Sequence, residues 1–451
     1  MQVKRLVAIS AFDLPLRSRG RVVIFLLAVG VPGLLLAYKT VVITVAATMG
    51  QSSGRGGLLK AVTLDPVNPE LHYRLGIADC YSLDHSQPEE GLSELRQATE
   101  LDPTQPVYWS ALASACESLG DSACADHATD RALVLAPMTP RYRWDAANHD
   151  LAEGRSSAAL AQFRRLLELD PQYAAGSYRL CLTLVPDPWS VYQKVLAGQK
   201  NVLLNFTYIN YLVAHDQGEK AYPVWQATLA LKQRFSFSLA GPYIEWLLSY
   251  GPDQEAVNAW QDLELHGIIR RSSADTPGNL VFNSGFEQPP LNAGFDWRIQ
   301  QELYTRVGFD DAGAYQGHRC LRVDFTVSRN GDYEAVYEIV PVSPSHTYRL
   351  QAYVRSDSIT SGSGPRLRVL DPAMPASLDA STEGTLGTTN WHRVSLSFST
   401  GPQTRRVRLS VWRPRSLAFP ADISGTFWLD AVSLKSTTVA NKETTVSSHS
   451  S

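Results

Sequence analysis

Four short phrases recur along the first half of this chain: Leu64-Asp65-Pro66, Leu101-Asp102-Pro103, Leu135-Ala136-Pro137 and Leu169-Asp170-Pro171. Their prolines are 37, 34 and 34 residues apart. Self-similarity at this period marks a solenoid, because one such unit cannot bury its apolar face alone and must stack on the next. Proline cannot continue a helix, so each phrase ends the second helix of a pair. Five residues before the first three prolines stands an alanine (Ala61, Ala98, Ala132), with Leu166 at the fourth. Ten residues after the four prolines stand Gly76, Ala113, Ala147 and Cys181. Small residues at fixed offsets let two antiparallel helices approach closely.

Over residues 53–185 this pattern resembles the tetratricopeptide repeat family. Tyr108-Trp109-Ser-Ala-Leu112-Ala113 follows that family's Trp-x-x-Leu-Gly phrase with Ala for Gly, and Ala159 and Phe163 fit its small and aromatic positions. His72, Arg143 and Ser177 depart from the bulky type, and the first gap carries three extra residues around 84–88. From 187 to 268 the period blurs while helical patterning continues, which reads as one or two degenerate pairs closing a solenoid over 53–268. The resemblance implies a concave face that binds peptides or protein partners. An array that serves only as a spacer is the other reading.

Val22 to Tyr38 is apolar and uncharged, and apolar character resumes after Lys39-Thr40. A spanning helix needs roughly 20 such residues, with a lower limit near 17. Lys4, Arg5, Arg17, Arg19 and Arg21 precede the run against one acid, Asp13. The positive-inside rule then makes 1–21 a cytoplasmic tail, 22–47 a single-pass anchor in a bacterial inner membrane, and the rest extracytoplasmic. Val45-Ala46-Ala47 would serve as a cleavage site if the run were a signal peptide. Either way a disulfide is allowed beyond the membrane. Cys116 and Cys124 flank the Leu119-Gly120-Asp121 turn, where a folded-back helix pair brings them within bridging range; two free thiols are the alternative.

The polar stretch 269–278 reads as a linker, and beyond it the apolar period changes from 3.6 to 2. Candidate strands are 321–326, 333–340, 348–355, 366–370, 393–398, 406–412 and 426–434, an antiparallel sandwich over 279–435 followed by a Ser/Thr-rich tail, 436–451. The segment resembles the galactose-binding-like jelly-roll carbohydrate-binding modules. The resemblance rests on Asn279-Leu-Val-Phe-Asn-Ser-Gly285-Phe286-Glu287, Trp297, Ala314-Tyr-Gln-Gly317, Tyr348 to Arg355, Trp391 to Phe398 and Trp428-Leu-Asp430. It implies a structural calcium between first and last strands, held by Glu287 and Asp430, although Ala431 stands where a second Asp is common. Carboxylates capped by backbone amides are the alternative.

Alternation turns Val407, Leu409 and Val411 inward and Arg408 and Trp412 outward; Gln351, Tyr353 and Arg322 are outward on other strands. Ring faces stack on sugars and planar polar groups pair with hydroxyls, so Trp412, Tyr353, Gln351, Arg408 and Arg322 form the expected sugar platform. The arginines favour acidic sugars. A polar surface or a protein interface would show the same residues. Trp297, Trp391 and Trp428 are expected in the core.

The chain carries 41 Lys+Arg against 44 Asp+Glu, which argues against a general nucleic-acid binder. No Gly-x-Ser-x-Gly, Walker or His-Glu-x-x-His motif occurs, and no catalytic residue is assigned. The expected architecture is multidomain, α then β: a transmembrane helix, an α-solenoid of helix pairs and a C-terminal antiparallel β-sandwich. The expected function is a non-catalytic carbohydrate-binding scaffold of the cell envelope, in polysaccharide assembly or export. A protein-docking adaptor without a glycan ligand, and a protein associated with glycosyl-bond hydrolysis, are the alternatives.

Overall fold

The computed structural model describes residues 19–51, 54–82, 87–199, 201–272 and 276–437. The basic leader before Arg19, including Lys4, Arg5 and Arg17, and the tail from 438 onward lie outside the described residues. The chain divides into two compact units, with the boundary between Tyr173 and Ala174.

The first unit is helical: α1 (Arg19–Gln51), α2 (Arg55–Leu64), α3 (Pro69–Tyr81), α4 (Pro88–Leu101), α5 (Pro106–Ser118), α6 (Ser122–Leu135), α7 (Pro140–Ala152) and α8 (Ser156–Leu169). The recurring phrase explains the punctuation. Helices α2, α4, α6 and α8 each end at its leucine, and the next N–H donates to the carbonyl of Ala61, Ala98, Ala132 or Leu166. One residue further, the proline blocks another turn. A second proline, at 69, 106 and 140, begins the following helix at a position that needs no N–H donor. The fourth phrase lacks that second proline. A 3-10 turn, Pro171–Tyr173, follows it and ends the unit.

The small residues sit where helices cross. Ala61, Ala98, Ala132, Ala147 and Cys181 are fully or almost fully buried. A Cβ on Gly76 would lie 2.6 Å from Leu95 Cγ and 2.9 Å from the Gly91 carbonyl oxygen. Gly76→Val therefore forces α3 and α4 apart. Overpacking of this kind costs about 1–3 kcal/mol, and thermal melting followed by circular dichroism of the full chain should show the loss. Cys116 on α5 and Cys124 on α6 are bonded, with Sγ–Sγ 1.98 Å and Cα–Cα 5.8 Å.

Within α1, Val22–Gln51 is long and apolar enough to cross a membrane, and nearly all its side chains are exposed. Its last turns differ. Ala46 is buried against Ala61 and Leu71, and Gly50 closes on Leu71. The apolar helix thus packs its C-terminal end against the first repeat.

The second unit begins with α9 (Ala174–Leu184), α10 (Pro188–Val191), α11 (Val202–Ala214), α12 (Tyr222–Ala230), α13 (Phe237–Ser249) and α14 (Asp253–Leu265). Their core is aromatic: Tyr178, Phe206, Tyr208, Trp225 and Tyr243 are all buried. Ten strands follow: β1 (Arg298–Ile299), β2 (Thr305–Asp310), β3 (Cys320–Arg329), β4 (Tyr333–Pro341), β5 (Thr347–Ile359), β6 (Arg366–Leu370), β7 (Asp379–Ser381), β8 (Gly387–Ser399), β9 (Arg406–Arg413) and β10 (Ile423–Ser436). They form two antiparallel sheets, here sheet A in the order β1-β4-β9-β6-β7 and sheet B in the order β2-β3-β10-β5-β8. Val407, Leu409 and Val411 from sheet A meet Leu350, Ala352 and Val354 from sheet B in one core, with Trp297 buried among them.

The sandwich is joined to the helices before it by specific contacts. Trp260 on α14 packs edge-on against Phe282 and Phe295, with centroids 5.2 and 5.8 Å away. Gly294, at φ +63°, lies beneath that ring, where a Cβ would come within 2.0 Å. Glu245 on α13 accepts from Gly294 N at 2.6 Å and Arg298 Nη2 at 2.7 Å. Arg406 donates to the Leu248 carbonyl and lies 3.5 Å from Asp253. In the stretch read as a linker, Ile269 is buried and Arg271 donates to the Asn279 and Val281 carbonyls; residues 273–275 lie outside the described residues.

Candidate carbohydrate-binding surface

Alternation assigns inward and outward correctly along β3, β5 and β9, but it does not reveal which strands share a sheet. Trp412 and Arg408 lie on β9, in sheet A. Gln351 and Tyr353 lie on β5 and Arg322 on β3, both in sheet B. The five residues expected to form one platform therefore divide between the two outer faces of the sandwich.

On the outer face of sheet A, β9 runs between β4 and β6. Trp412 stands opposite Arg366 in the ladder. The Arg368 guanidinium lies over its ring at 4.5 Å and pairs with Asp379 through two bonds of 2.7 Å. That pairing holds the Asp379 carboxyl below the usual range. Ser410 Oγ donates to Glu334 Oε1 at 2.7 Å, and Arg368 reaches Glu334 at 3.4 Å. Arg408 lies over the Tyr337 ring at 3.9 Å. The face thus presents two aromatic rings among guanidinium and carboxylate groups fixed by ion pairs. Planar polar groups held in place beside ring faces can stack on a pyranose and hydrogen-bond its hydroxyls.

The outer face of sheet B is arranged differently. Arg355 covers the Trp428 ring at 4.0 Å, and Arg322 lies over it at 5.6 Å while bonded to Asp324 at 2.9 Å. Trp428 Nε1 donates to Asp310 at 2.9 Å. Trp391 donates to the Gly313 carbonyl and stands beside Tyr315. Trp297 is in the core as expected, and Trp428 is buried at 7% exposure, but it and Trp391 lie on the outer side of sheet B, covered by Arg355. Alternation along their own strands flags this, since Phe427 and Leu429 on β10 and Leu396 and Phe398 on β8 take the opposite, inward phase. Tyr353 is covered by Tyr315 at 3.6 Å and, with Gln351, Gln316 and Arg393, borders a cleft of 280 Å³.

That cleft ends at Asp430, which is fully buried. Its Oδ2 accepts from Tyr315 N (2.8 Å) and Gln316 N (3.0 Å), and its Oδ1 from Ala431 N (2.6 Å). Burial, partly offset by these amides, pushes its pKa up to about 6. Glu287 Oε1 accepts from His318 N and Arg319 N at 2.8 and 3.2 Å. Gly317, at φ +76°, leaves room for it, since a Cβ there would lie 2.0 Å from Oε1. Residues 279–287 form turns rather than a first strand, with Asn283 and Phe286 at positive φ; Leu280 N and Val432 N still bond this segment to β10.

Calcium takes six to eight oxygen ligands. In this arrangement both carboxylates accept backbone N–H groups. Among the described residues no group of three or more His, Cys, Asp or Glu is placed to hold a metal.

Residues 278–417 match the family model described as a carbohydrate binding domain. The match covers the sandwich up to the strand bearing Trp412 and under a third of the chain. No curated protein matches the chain in sequence. Among solved structures, MamA is similar at 15% identity, covering 42% of this chain and 92% of that one, with a TM-score of 0.29. A family 16 carbohydrate-binding module is similar at 18% identity, covering 35% of this chain and 99% of its own, with a TM-score of 0.26. TmCBM61, solved with β-1,4-galactotriose, is similar at 16% identity, with the same coverages and a TM-score of 0.25. Scores this low carry no inference about ligand or partner.

Proposed function

We propose that this chain is a membrane-anchored, non-catalytic scaffold of the bacterial cell envelope, whose sandwich binds carbohydrate on the outer face of sheet A. The observation that carries the reading is the carbohydrate-binding family match over 278–417, on a sandwich whose sheet A displays Trp412 and Tyr337 among ion-paired Arg368, Asp379 and Glu334. Guanidinium groups lie over rings on both faces, Arg355 over Trp428 at 4.0 Å on sheet B and Arg408 over Tyr337 at 3.9 Å on sheet A. Trp412, with Arg368 at 4.5 Å, is taken as the anchor, while Tyr353 on sheet B is stacked under Tyr315 at 3.6 Å. An uncleaved anchor is supported by Ala46 and Gly50, whose packing on Leu71 cleavage after Ala47 would break in part. The helix pairs supply a surface for a protein partner, and a role in polysaccharide assembly or export follows from joining the two.

A protein-docking adaptor is the second reading. It draws on the sandwich already contacting α13 and α14 through Arg298, Arg406 and Gly294. Probing the detergent-solubilised full chain on an array of bacterial and plant polysaccharides separates the two. Retention of at least one glycan class is expected; partner capture with no glycan retained would favour the adaptor.

A further inference from the structure

The outer face of sheet A carries four arginines on β6 and β9, and three have carboxylates beside them. Arg368 pairs with Asp379 and Glu334, Arg406 lies 3.5 Å from Asp253, and Arg408 lies 3.9 Å from Glu334. Arg366 is different. Among the described residues its one hydrogen bond runs from Nε to the Gly364 carbonyl at 3.4 Å, and no carboxylate reaches it.

Arg366 is nevertheless half-buried, and burial alone pulls its pKa down. Arg413 is likewise lowered, but it spends its donors: Nε on the Ser363 carbonyl, Nη1 on Asn330 and Gly331, and Nη2 on Ser361 and Ala421. Removing a cation from water is costly unless it gains a counter-charge or hydrogen bonds. Arg413 spends its donors within the fold, whereas among the described residues the Nη groups of Arg366 have no protein partner and remain open to solvent or a ligand. Arg366 is also the cross-strand partner of Trp412, with its guanidinium carbon 5.8 Å from the ring centroid.

We propose that Arg366 is the subsite for an anionic substituent, a carboxylate or a sulfate ester, on a sugar stacked at Trp412, so that the glycan bound is acidic. The inference rests on the glycan-binding reading of this face. The planar guanidinium matches a two-oxygen anion with parallel N–H···O bonds, and its Nη hydrogens are the unspent donors. Arg368 cannot take this role without breaking its paired bonds to Asp379.

The test is calorimetric titration of the full chain in detergent with three probes: oligogalacturonate, sulfated galactan fragments and neutral β-1,4-galactan fragments. One of the anionic probes should bind about tenfold or more tightly than the neutral one, and its affinity should fall with added salt. Arg366→Gln should abolish that preference, bringing the anionic probe to the affinity of the neutral one. Arg366→Lys, which keeps charge but not the fork, should retain part of it. Equal binding of all three probes, binding of the neutral probe alone, or an unchanged preference in Arg366→Gln overturns the proposal and leaves the glycan reading standing. Binding of none of them, nor of any glycan on the array, by chain with an unaltered melting profile overturns both.

Discussion

Trp260→Ala is expected to destabilise the second unit by about 3–5 kcal/mol, the usual cost of emptying a large aromatic site in a core. Trp260 is 3% exposed, and its ring is bounded by Phe237 on the helical side and by Phe282, Phe295 and Gly294 on the sandwich side. Gly294 is held at positive φ by its bond to Glu245, so the backbone under the ring cannot readily collapse into the space. The loss should appear in calorimetry as a lowered transition for sandwich and adjoining helices together. A sandwich transition that stays put while only a helical one moves would show that Trp260 does not couple them.

Asp430→Ala is expected to cost on the order of 3 kcal/mol, since three amides lose their acceptor and each buried unpaired donor costs about 1–3 kcal/mol. The same residue sets a pH dependence. Asp430 and the buried Asp296 both have pKa values raised to about 6, with burial the first cause. A carboxyl whose folded pKa lies above its unfolded value near 4 contributes stability at low pH, and that contribution is lost as pH rises through the folded value. The sandwich should therefore melt higher at pH 5 than at pH 7.5. Asp310, Asp371 and Asp379 are lowered instead, so their contribution is lost only as pH falls into the ordinary carboxylate range. A melting temperature flat between pH 5 and 7.5 would contradict the assignment to Asp430 and Asp296.

The helix pairs were legible because their punctuation is local: a leucine, a C-cap and a proline fix each helix end within a few residues. The seven sequence-read strands all lie inside observed strands for the same reason, since a period of two needs only neighbours. Sheet partition was not legible. β9 and β5 show identical alternation, and only long-range pairing puts Trp412 and Tyr353 on opposite faces. Arg366 and Arg368 were within reach, because Arg366-Leu367-Arg368-Val369 alternates in a strand already assigned. Glu334 and Tyr337 were not, because a register shift between Tyr333 and Val336 breaks the phase. Glu287 and Asp430 were picked out as neighbours, and Glu287 does raise the Asp430 pKa. What sequence could not provide was that the backbone N–H groups of Tyr315, Gln316, His318, Arg319 and Ala431 turn toward these two carboxylates.

The central claim, that glycan is held at Trp412 on sheet A, is tested most directly by titrating the full chain, Trp412→Ala and Tyr353→Ala with the polysaccharide retained on the array. Truncating an aromatic anchor at a binding centre costs about 2 kcal/mol or more, so Trp412→Ala should lose at least tenfold in affinity while Tyr353→Ala stays near the unsubstituted chain. Unchanged affinity in Trp412→Ala would contradict the account, and a loss confined to Tyr353→Ala would place the ligand on sheet B instead.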